Sequence, residues 1–141
     1  MDGYAVDDDP SAVDVDLLHR WLSEDAYWWS GGLRREVLET ALGNSITLTG
    51  TSNDRMVAFA RLVTDRATFA YLCDVYVDPA HRGRGLGTLL ARTAVEHPAV
   101  QTCRRVLLAT ADAHGVYERA GFAALENPSV WMAITRPEAA G

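Results

Sequence analysis

Residues 71–91 read YLCDVYVDPAHRGRGLGTLLA, and the rest of the chain is best understood from this segment. It begins with apolar, aromatic and β-branched residues, which predict a strand, and it breaks at Asp78-Pro79. A basic, glycine-rich loop follows, and leucines then recur at helical spacing. The segment therefore predicts a strand, a turn, a glycine loop and a helix.

The glycine loop has the properties of an anion site. The first amides of a helix have no partner within the helix, and the helix dipole adds partial positive charge there, so this end attracts phosphates. Gly83, Gly85 and Gly87 permit positive φ angles and a close approach of the backbone, while Arg82 and Arg84 add charge.

The spacing separates this loop from two other phosphate-binding motifs. A dinucleotide fingerprint, G-x-G-x-x-G, would need a third glycine where Thr88 stands, and a P-loop needs a lysine, which the chain lacks. The spacing that does fit is R-x-x-G-x-G, from Arg82 to Gly87. It follows directly after V-x-V-D-P.

This segment resembles the acyl-CoA-binding motif of the GNAT superfamily of N-acetyltransferases. A second element, YERAGF from Tyr117 to Phe122, resembles the Y-x-x-x-G-F of the same superfamily. An apolar run, 106–109, lies between the two elements where the superfamily has its next strand. The resemblance covers residues 57–134.

Hydrophobic periodicity predicts the remaining elements. We expect an edge strand near residues 4–6, and a meander of strands at 46–51, 56–64 and 69–77. Later strands are predicted at 105–109, 122–125 and 130–134, and helices at 14–23, 33–42, 85–96 and 113–120. The resemblance implies an α/β fold with a mixed, mostly antiparallel sheet flanked by helices on both faces.

The resemblance also implies how coenzyme A would be held. The loop amides would bind its pyrophosphate, and the backbone of β-strand residues would pair with its pantetheine arm. A backbone amide near Val77 would face the thioester carbonyl as an oxyanion hole. The implied cofactor-binding residues are Val75, Val77, Arg82, Gly83, Arg84, Gly85, Leu86, Gly87 and Thr88.

Two residues are candidates for proton transfer. Tyr117 stands where the superfamily places its general acid, since a phenol stays protonated at neutral pH and can protonate a thiolate; the alternative is a packed tyrosine. Asp74 is a candidate base, although strict alternation places it opposite Tyr71 and Cys73. A β-bulge would reverse that; otherwise Asp74 is a buried structural carboxylate, and Tyr71 and Cys73 line the site.

The sequence indicates the residues that would bind the acyl acceptor less specifically than those that would bind coenzyme A. Tyr27 and Trp28 fall where the superfamily has its lid over the acceptor, but packing of the first two helices onto the sheet explains these residues equally well. Thr110 stands where many members have an asparagine. A Cys73 nucleophile with His114 as base is a different chemistry, and no nucleophile-loop signature supports it.

Composition narrows the function. The length of 141 residues predicts one domain, 1–141, with its ends, 1–10 and 136–141, less ordered. The net charge of −6 argues against nucleic acid and favours amines. Two cysteines indicate no disulfide framework and no metal site, and no segment is apolar enough to span a membrane, so we expect a cytoplasmic protein.

Together these features predict an N-acetyltransferase that uses acetyl-CoA and a small-molecule or peptide amine, without a metal. The first alternative is a module that binds acyl-CoA as a sensor or scaffold. The second is an unrelated nucleotide-binding protein. Because dimers are common in the superfamily, a homodimer joined at the last strand is also expected.

Overall fold

The computed structural model describes residues 3–25 and 32–136. Its sheet has five strands in the order β1-β2-β3-β4-β5, and only the β4–β5 pair is parallel. The strands are β1 (Ala5–Asp7), β2 (Ile46–Ser52), β3 (Arg55–Thr64), β4 (Phe69–Val77) and β5 (Arg105–Leu107). The predicted mixed, mostly antiparallel sheet is confirmed.

Four α-helices accompany the sheet: α1 (Val15–Arg20), α2 (Arg35–Gly43), α3 (Leu86–Glu96) and α4 (His114–Glu118). Helix α1 begins where the Asp14 carboxylate accepts the Leu17 amide at 3.0 Å, as expected of an N-cap. A wider π-helical turn, Trp21–Asp25, continues it. Within the described ranges, no helix is long and apolar enough to cross a bilayer.

The two faces of the sheet bury separate cores, because side chains alternate along each strand. One face packs against α3, and this core includes Leu48, Leu62, Leu72, Leu86 and Leu90. The other face packs against α1 and α2, and its core includes Leu18, Trp21, Leu38, Phe59 and Tyr76. The helices therefore cover both faces, as predicted.

The ladder between β3 and β4 contains one register shift. Phe59 pairs with Tyr76 and Arg61 with Cys73, so two steps along β3 match three steps along β4. Asp74 lies within the additional step and has a φ of 52°, in the left-handed region. This is the β-bulge that the sequence left open as one of two alternatives, and it changes which face Asp74 and the later side chains of β4 occupy.

The turn from β3 to β4 is held by one carboxylate. Asp65 accepts hydrogen bonds from the hydroxyl and amide of Thr68 and from the amides of Ala67 and Phe69. These bonds, those of Thr68 above all, hold the pKa of Asp65 below its usual range. The same bonds set the residue at which β4 begins.

The strand predictions for 122–125 and 130–134 are wrong. These residues form no strand; the described chain instead has a 3-10 turn at Pro128–Val130 and continues without ladder pairing. Val130, Met132 and Ile134 are strongly exposed. Alternating apolar residues fit a pleated surface, but a strand also needs a partner, which is not present here.

Candidate active site

Strands β4 and β5 separate to form a cleft. They pair only from Phe69 to Tyr71 on β4, and beyond that point no strand pairs with β4 on the β5 side in the described chain. A cavity of about 710 Å³ opens there. Its walls come from both strands and from their neighbours: Arg61, Val63, Tyr71–Val75, Leu108–Ala113 and Tyr117.

The glycine loop leads into the N-terminus of α3. Gly83 and Gly85 have φ angles of 77° and 82°, so both need the freedom of glycine. Gly85 is the N-cap, and no side chain caps the helix. The first intrahelical bond runs from the Leu89 amide to the Gly85 carbonyl at 3.0 Å, so the preceding amides are available to an anion.

Gly87 and Thr88 also hold α3 against α4, a use that the spacing did not suggest. Gly87 is helical, and a Cβ there would lie 3.1 Å from Cγ1 of Val116. The Thr88 hydroxyl donates to the Val116 carbonyl at 3.0 Å. Both residues therefore bring α3 against α4, next to Tyr117, and Thr88 offers an anion only its backbone amide.

The two loop arginines are partly engaged by the protein itself. Arg82 donates from Nε to the Val77 carbonyl at 2.9 Å, and its guanidinium lies 5.4 Å from the centre of the Tyr76 ring. Arg84 donates to the Tyr4 hydroxyl at 2.9 Å. They stiffen the loop as well as adding charge to it.

Tyr4 is a loop contact that sequence reasoning missed. Its hydroxyl accepts from Arg84 and lies 2.8 Å from Nδ1 of His81, to which it can donate. The sequence separation of 77 residues between Tyr4 and His81 leaves no local signal for this contact. The edge strand β1 thus places a side chain against the glycine loop.

The bulge places Asp74 on the cleft side of the sheet. Its Oδ2 accepts from Nε of Arg61 at 2.8 Å, and Arg61 is the direct cross-strand partner of Cys73. Arg61 also donates from Nη1 to the Ser45 hydroxyl at 3.2 Å. Asp74 therefore meets both descriptions given above: it lines the cleft, and it is a buried carboxylate paired with an arginine. Sequence reasoning missed Arg61, since nothing local marks it.

Replacing Arg61 by methionine is expected to destabilise the fold by about 3–5 kcal/mol, because Asp74 loses its charged partner while remaining buried. Urea unfolding measures this loss. The double variant Arg61→Met/Asp74→Asn should recover much of it. Arg35→Met is the matched control, because the Arg35 ion pairs with Asp16 and Glu39 are exposed and should contribute less than about 1 kcal/mol. Equal losses of unfolding free energy in Arg61→Met and Arg35→Met would show that the buried Arg61–Asp74 pair stabilises the fold no more than an exposed pair does.

Cys73 and Tyr71 lie on the same face as Arg61. Burial raises the pKa of the Cys73 thiol to about 12, and it also raises the pKa of the Tyr71 phenol. A thiol is nucleophilic only as the thiolate, so this environment opposes the alternative chemistry in which Cys73 attacks. His114, its suggested base, lies at the start of α4 and is exposed.

Cys73 should be nearly inert to iodoacetamide at pH 8, because a pKa of about 12 leaves roughly one thiol in ten thousand ionised. Mass spectrometry of the alkylated protein measures this directly, with Cys103 as the internal comparison. Labelling should increase only as the pH approaches the raised pKa. Rapid labelling of Cys73 at pH 8 would contradict the assigned environment.

Tyr117 enters the cleft from α4. Its ring meets Phe122 edge to face, with 6.1 Å between centroids, and its carbonyl accepts the amides of Ala120 and Phe122. The sharp turn through Gly121, which has a φ of 101°, returns the chain onto Tyr117. On the adjoining loop the Thr110 hydroxyl accepts the Ala113 amide at 3.1 Å, so this side chain shapes the cleft wall.

The predicted acceptor residues Tyr27 and Trp28 lie outside the described residues. Ranges 3–25 and 32–136 contain no group of three or more histidine, cysteine or acidic side chains placed to hold a metal ion.

Comparisons with known proteins agree with this geometry. The model of the acetyltransferase (GNAT) family matches residues 15–122. A candidate acetyltransferase of Gibberella zeae is 35% identical over an alignment of 130 positions, and the alignment covers 77% of this chain and 72% of that protein.

Solved structures show the same fold. A candidate acetyltransferase of the GNAT family from Xanthomonas campestris is 41% identical and superposes with a TM-score of 0.91. The superposition covers 99% of this chain and 97% of that protein's chain. A candidate acetyltransferase of Clostridium acetobutylicum, solved with acetyl-CoA, has a TM-score of 0.66 at 16% identity, with 94% of each chain covered. The second likeness is one of fold alone. Family model, relative and crystal structure agree: this chain belongs to the GNAT family of acetyltransferases.

Proposed function

We propose that the protein is an N-acetyltransferase that moves an acetyl group from acetyl-CoA to a primary amine by direct transfer in a ternary complex. The observation that carries this proposal is the cleft between β4 and β5, which is lined by Tyr117, by Asp74 and by Val75, on the strand that leads to the glycine loop. Acetyl-CoA is the donor that the GNAT family uses. The amine and the ternary complex are the proposed parts.

The donor would be held by backbone. The amides from Arg82 to Thr88 would bind the pyrophosphate, and Gly83 and Gly85 leave space for it. The backbone of Val75 and Val77 would pair with the pantetheine arm. In support, β4 has no strand partner on its β5 side beyond Tyr71 among the described residues. An arm bound there would run along β4 from the loop towards the cleft.

Proton transfer would be divided between two side chains. An alkylammonium has no lone pair, so it must lose one proton before it attacks, and Asp74, directly or through water, would take that proton. After the C–N bond has formed, the nitrogen would release its second proton to solvent, from which Tyr117 would regain the proton that it gives. Tyr117 would give its proton to the sulfur as the C–S bond breaks. The Arg61 ion pair would hold the Asp74 carboxylate on the cleft side of the bulge.

Surface charge supports a cationic acceptor class. The net charge of −6 favours the approach of amines over anions. We therefore propose a small amine or an exposed peptide amine. A cytoplasmic location and a homodimer belong to the same proposal, and cell fractionation and sedimentation test them.

A non-catalytic acyl-CoA sensor is the alternative, and one experiment separates the two. The purified protein is mixed with acetyl-CoA and a panel of amines, and free CoA thiol and acetylated amine are both measured. The enzyme should release CoA in step with acetylated product. A sensor would bind CoA with no amine-dependent release, and a nucleotide-binding protein would respond to ATP or NAD but not to CoA.

A further inference from the structure

The sheet face that carries Asp74 and Arg61 continues beyond the cleft as an apolar surface. Along β4 the side chains of Cys73, Tyr71 and Phe69 share one face, since no register shift separates them. On β3, Val63 pairs directly with Tyr71. We call Val63, Phe69 and Tyr71 the apolar floor.

This floor is accessible to a ligand. Val63 is 39% exposed and Phe69 is 36% exposed, and both stand on strands whose opposite face is buried under α3. Val63 and Tyr71 also line the cleft, so the floor is continuous with the proposed reaction site. At about 3.3 Å per residue, β4 extends about 13 Å from Cys73 to Phe69.

Among the described residues, charges stand at the two ends of the floor. At the cleft end, Arg61 and Asp74 form an ion pair at 2.8 Å and offset each other. At the far end, Arg105 pairs in register with Phe69, and its guanidinium lies 5.2 Å from the centre of the Trp131 ring. The Asp65 carboxylate accepts the Phe69 amide at 3.2 Å, so this end carries both signs of charge. An extended ligand would meet these charges only after it has crossed the apolar surface.

We propose that the natural acceptor is a primary amine with an extended alkyl or aryl group, which lies on the apolar floor while the amine faces Asp74. This rests on the proposed function and narrows its acceptor class. The floor favours an apolar body by burying it. A second ammonium would have to leave water for the apolar floor, so diamines and polyamines are poor acceptors.

The size of the effect follows from the area buried. A methylene fully removed from water gains about 0.8 kcal/mol, which is about fourfold in binding. The floor covers one side of a chain, so about twofold per methylene is expected. From ethylamine to hexylamine this amounts to more than about tenfold in kcat/KM.

The test compares acceptors of equal length. Ethylamine, butylamine and hexylamine form a series of increasing length, and 1,5-diaminopentane matches hexylamine atom for atom except that an ammonium replaces the terminal methyl. We expect kcat/KM to rise along this series and to favour hexylamine over 1,5-diaminopentane by about tenfold or more. Equal kcat/KM for the three monoamines, or a preference for the diamine, would overturn the inference while leaving the N-acetyltransferase proposal intact.

Variants of the floor test whether it causes the preference. Val63, the cross-strand partner of Tyr71, lies within the reach of hexylamine from Asp74. Val63→Ser should lower the ratio of hexylamine to ethylamine several-fold, and Val63→Leu should retain most of it. Met132→Ser, which changes an apolar side chain that is 94% exposed and outside the floor, is the control and should leave the ratio unchanged. Equal ratios in Val63→Ser and the parent protein would count against the floor.

Two further readouts separate the remaining outcomes. If no amine is acetylated, calorimetry on the CoA complex still applies: tighter binding of hexylamine than of 1,5-diaminopentane supports the floor, and equal or absent binding overturns it. If Val63→Ser dissociates a dimer without altering the relative kcat/KM values of the amines, the floor is a subunit interface and the inference is wrong.

Discussion

Gly85→Glu is expected to abolish CoA binding, with a loss of at least about a hundredfold in affinity, while the protein remains folded. Gly85 is the N-cap of α3 and has a φ of 82°, so its backbone stands where the proposed pyrophosphate would meet the first helical amides. A glutamate there adds bulk and negative charge. It also places a side chain in the left-handed region, at a cost of about 1–2 kcal/mol.

Two companion variants separate these effects. Gly85→Ala carries the conformational strain without the charge, and about tenfold of the affinity should be lost. Gly32→Glu adds the same charge at a glycine of similar φ, 87°, with open space around it and outside the glycine loop. Calorimetry should give it nearly the parent affinity for CoA. A folded Gly85→Glu protein with parent affinity would refute the loop assignment.

Tyr117→Phe is expected to lower kcat by about 10²- to 10⁴-fold without changing the affinity for acetyl-CoA. That range is what general acid catalysis contributes when one positioned group gives its proton to a leaving atom. Phenylalanine keeps the ring that packs edge to face on Phe122, so the melting temperature should change little. Steady-state kinetics and calorimetry on the same preparation measure both quantities.

Tyr71→Phe is the matched control for the hydroxyl. It removes a phenol from the same cleft and keeps the ring that the apolar floor uses, so less than about tenfold should be lost. If the two variants lose activity equally, the acid role of Tyr117 fails. If Tyr117→Phe turns over at the parent rate, the proton for the sulfur comes from another donor or from water.

Local signals were enough for most of the fold. The meander of β2, β3 and β4 was predicted almost to its ends, because turn residues interrupt long β-branched runs there. The glycine loop and helix α3 were likewise evident from residues close together in sequence. The strands predicted at 122–125 and 130–134 failed because apolar alternation describes side chains, whereas strands depend on hydrogen-bonding partners.

The candidate site was only partly evident from sequence. Tyr117 and the glycine spacing are local motifs, but whether Asp74 faces the cleft depended on a bulge that alternation alone contradicts. The close packing of Gly87 against Val116 could not be predicted either, since a glycine required for packing and one required for positive φ look the same in a sequence.

The amino-acid sequence by itself determined the order of strands and helices from β1 to α4, the glycine loop at the start of α3 and the family, because each rests on spacing within a few residues. Only the tertiary structure decided that Arg61 holds Asp74, that Tyr4 meets the loop, and that an apolar floor continues the cleft. Such contacts join residues from separate strands, and register, bulges and the separation of β4 from β5 arise only when the whole sheet assembles.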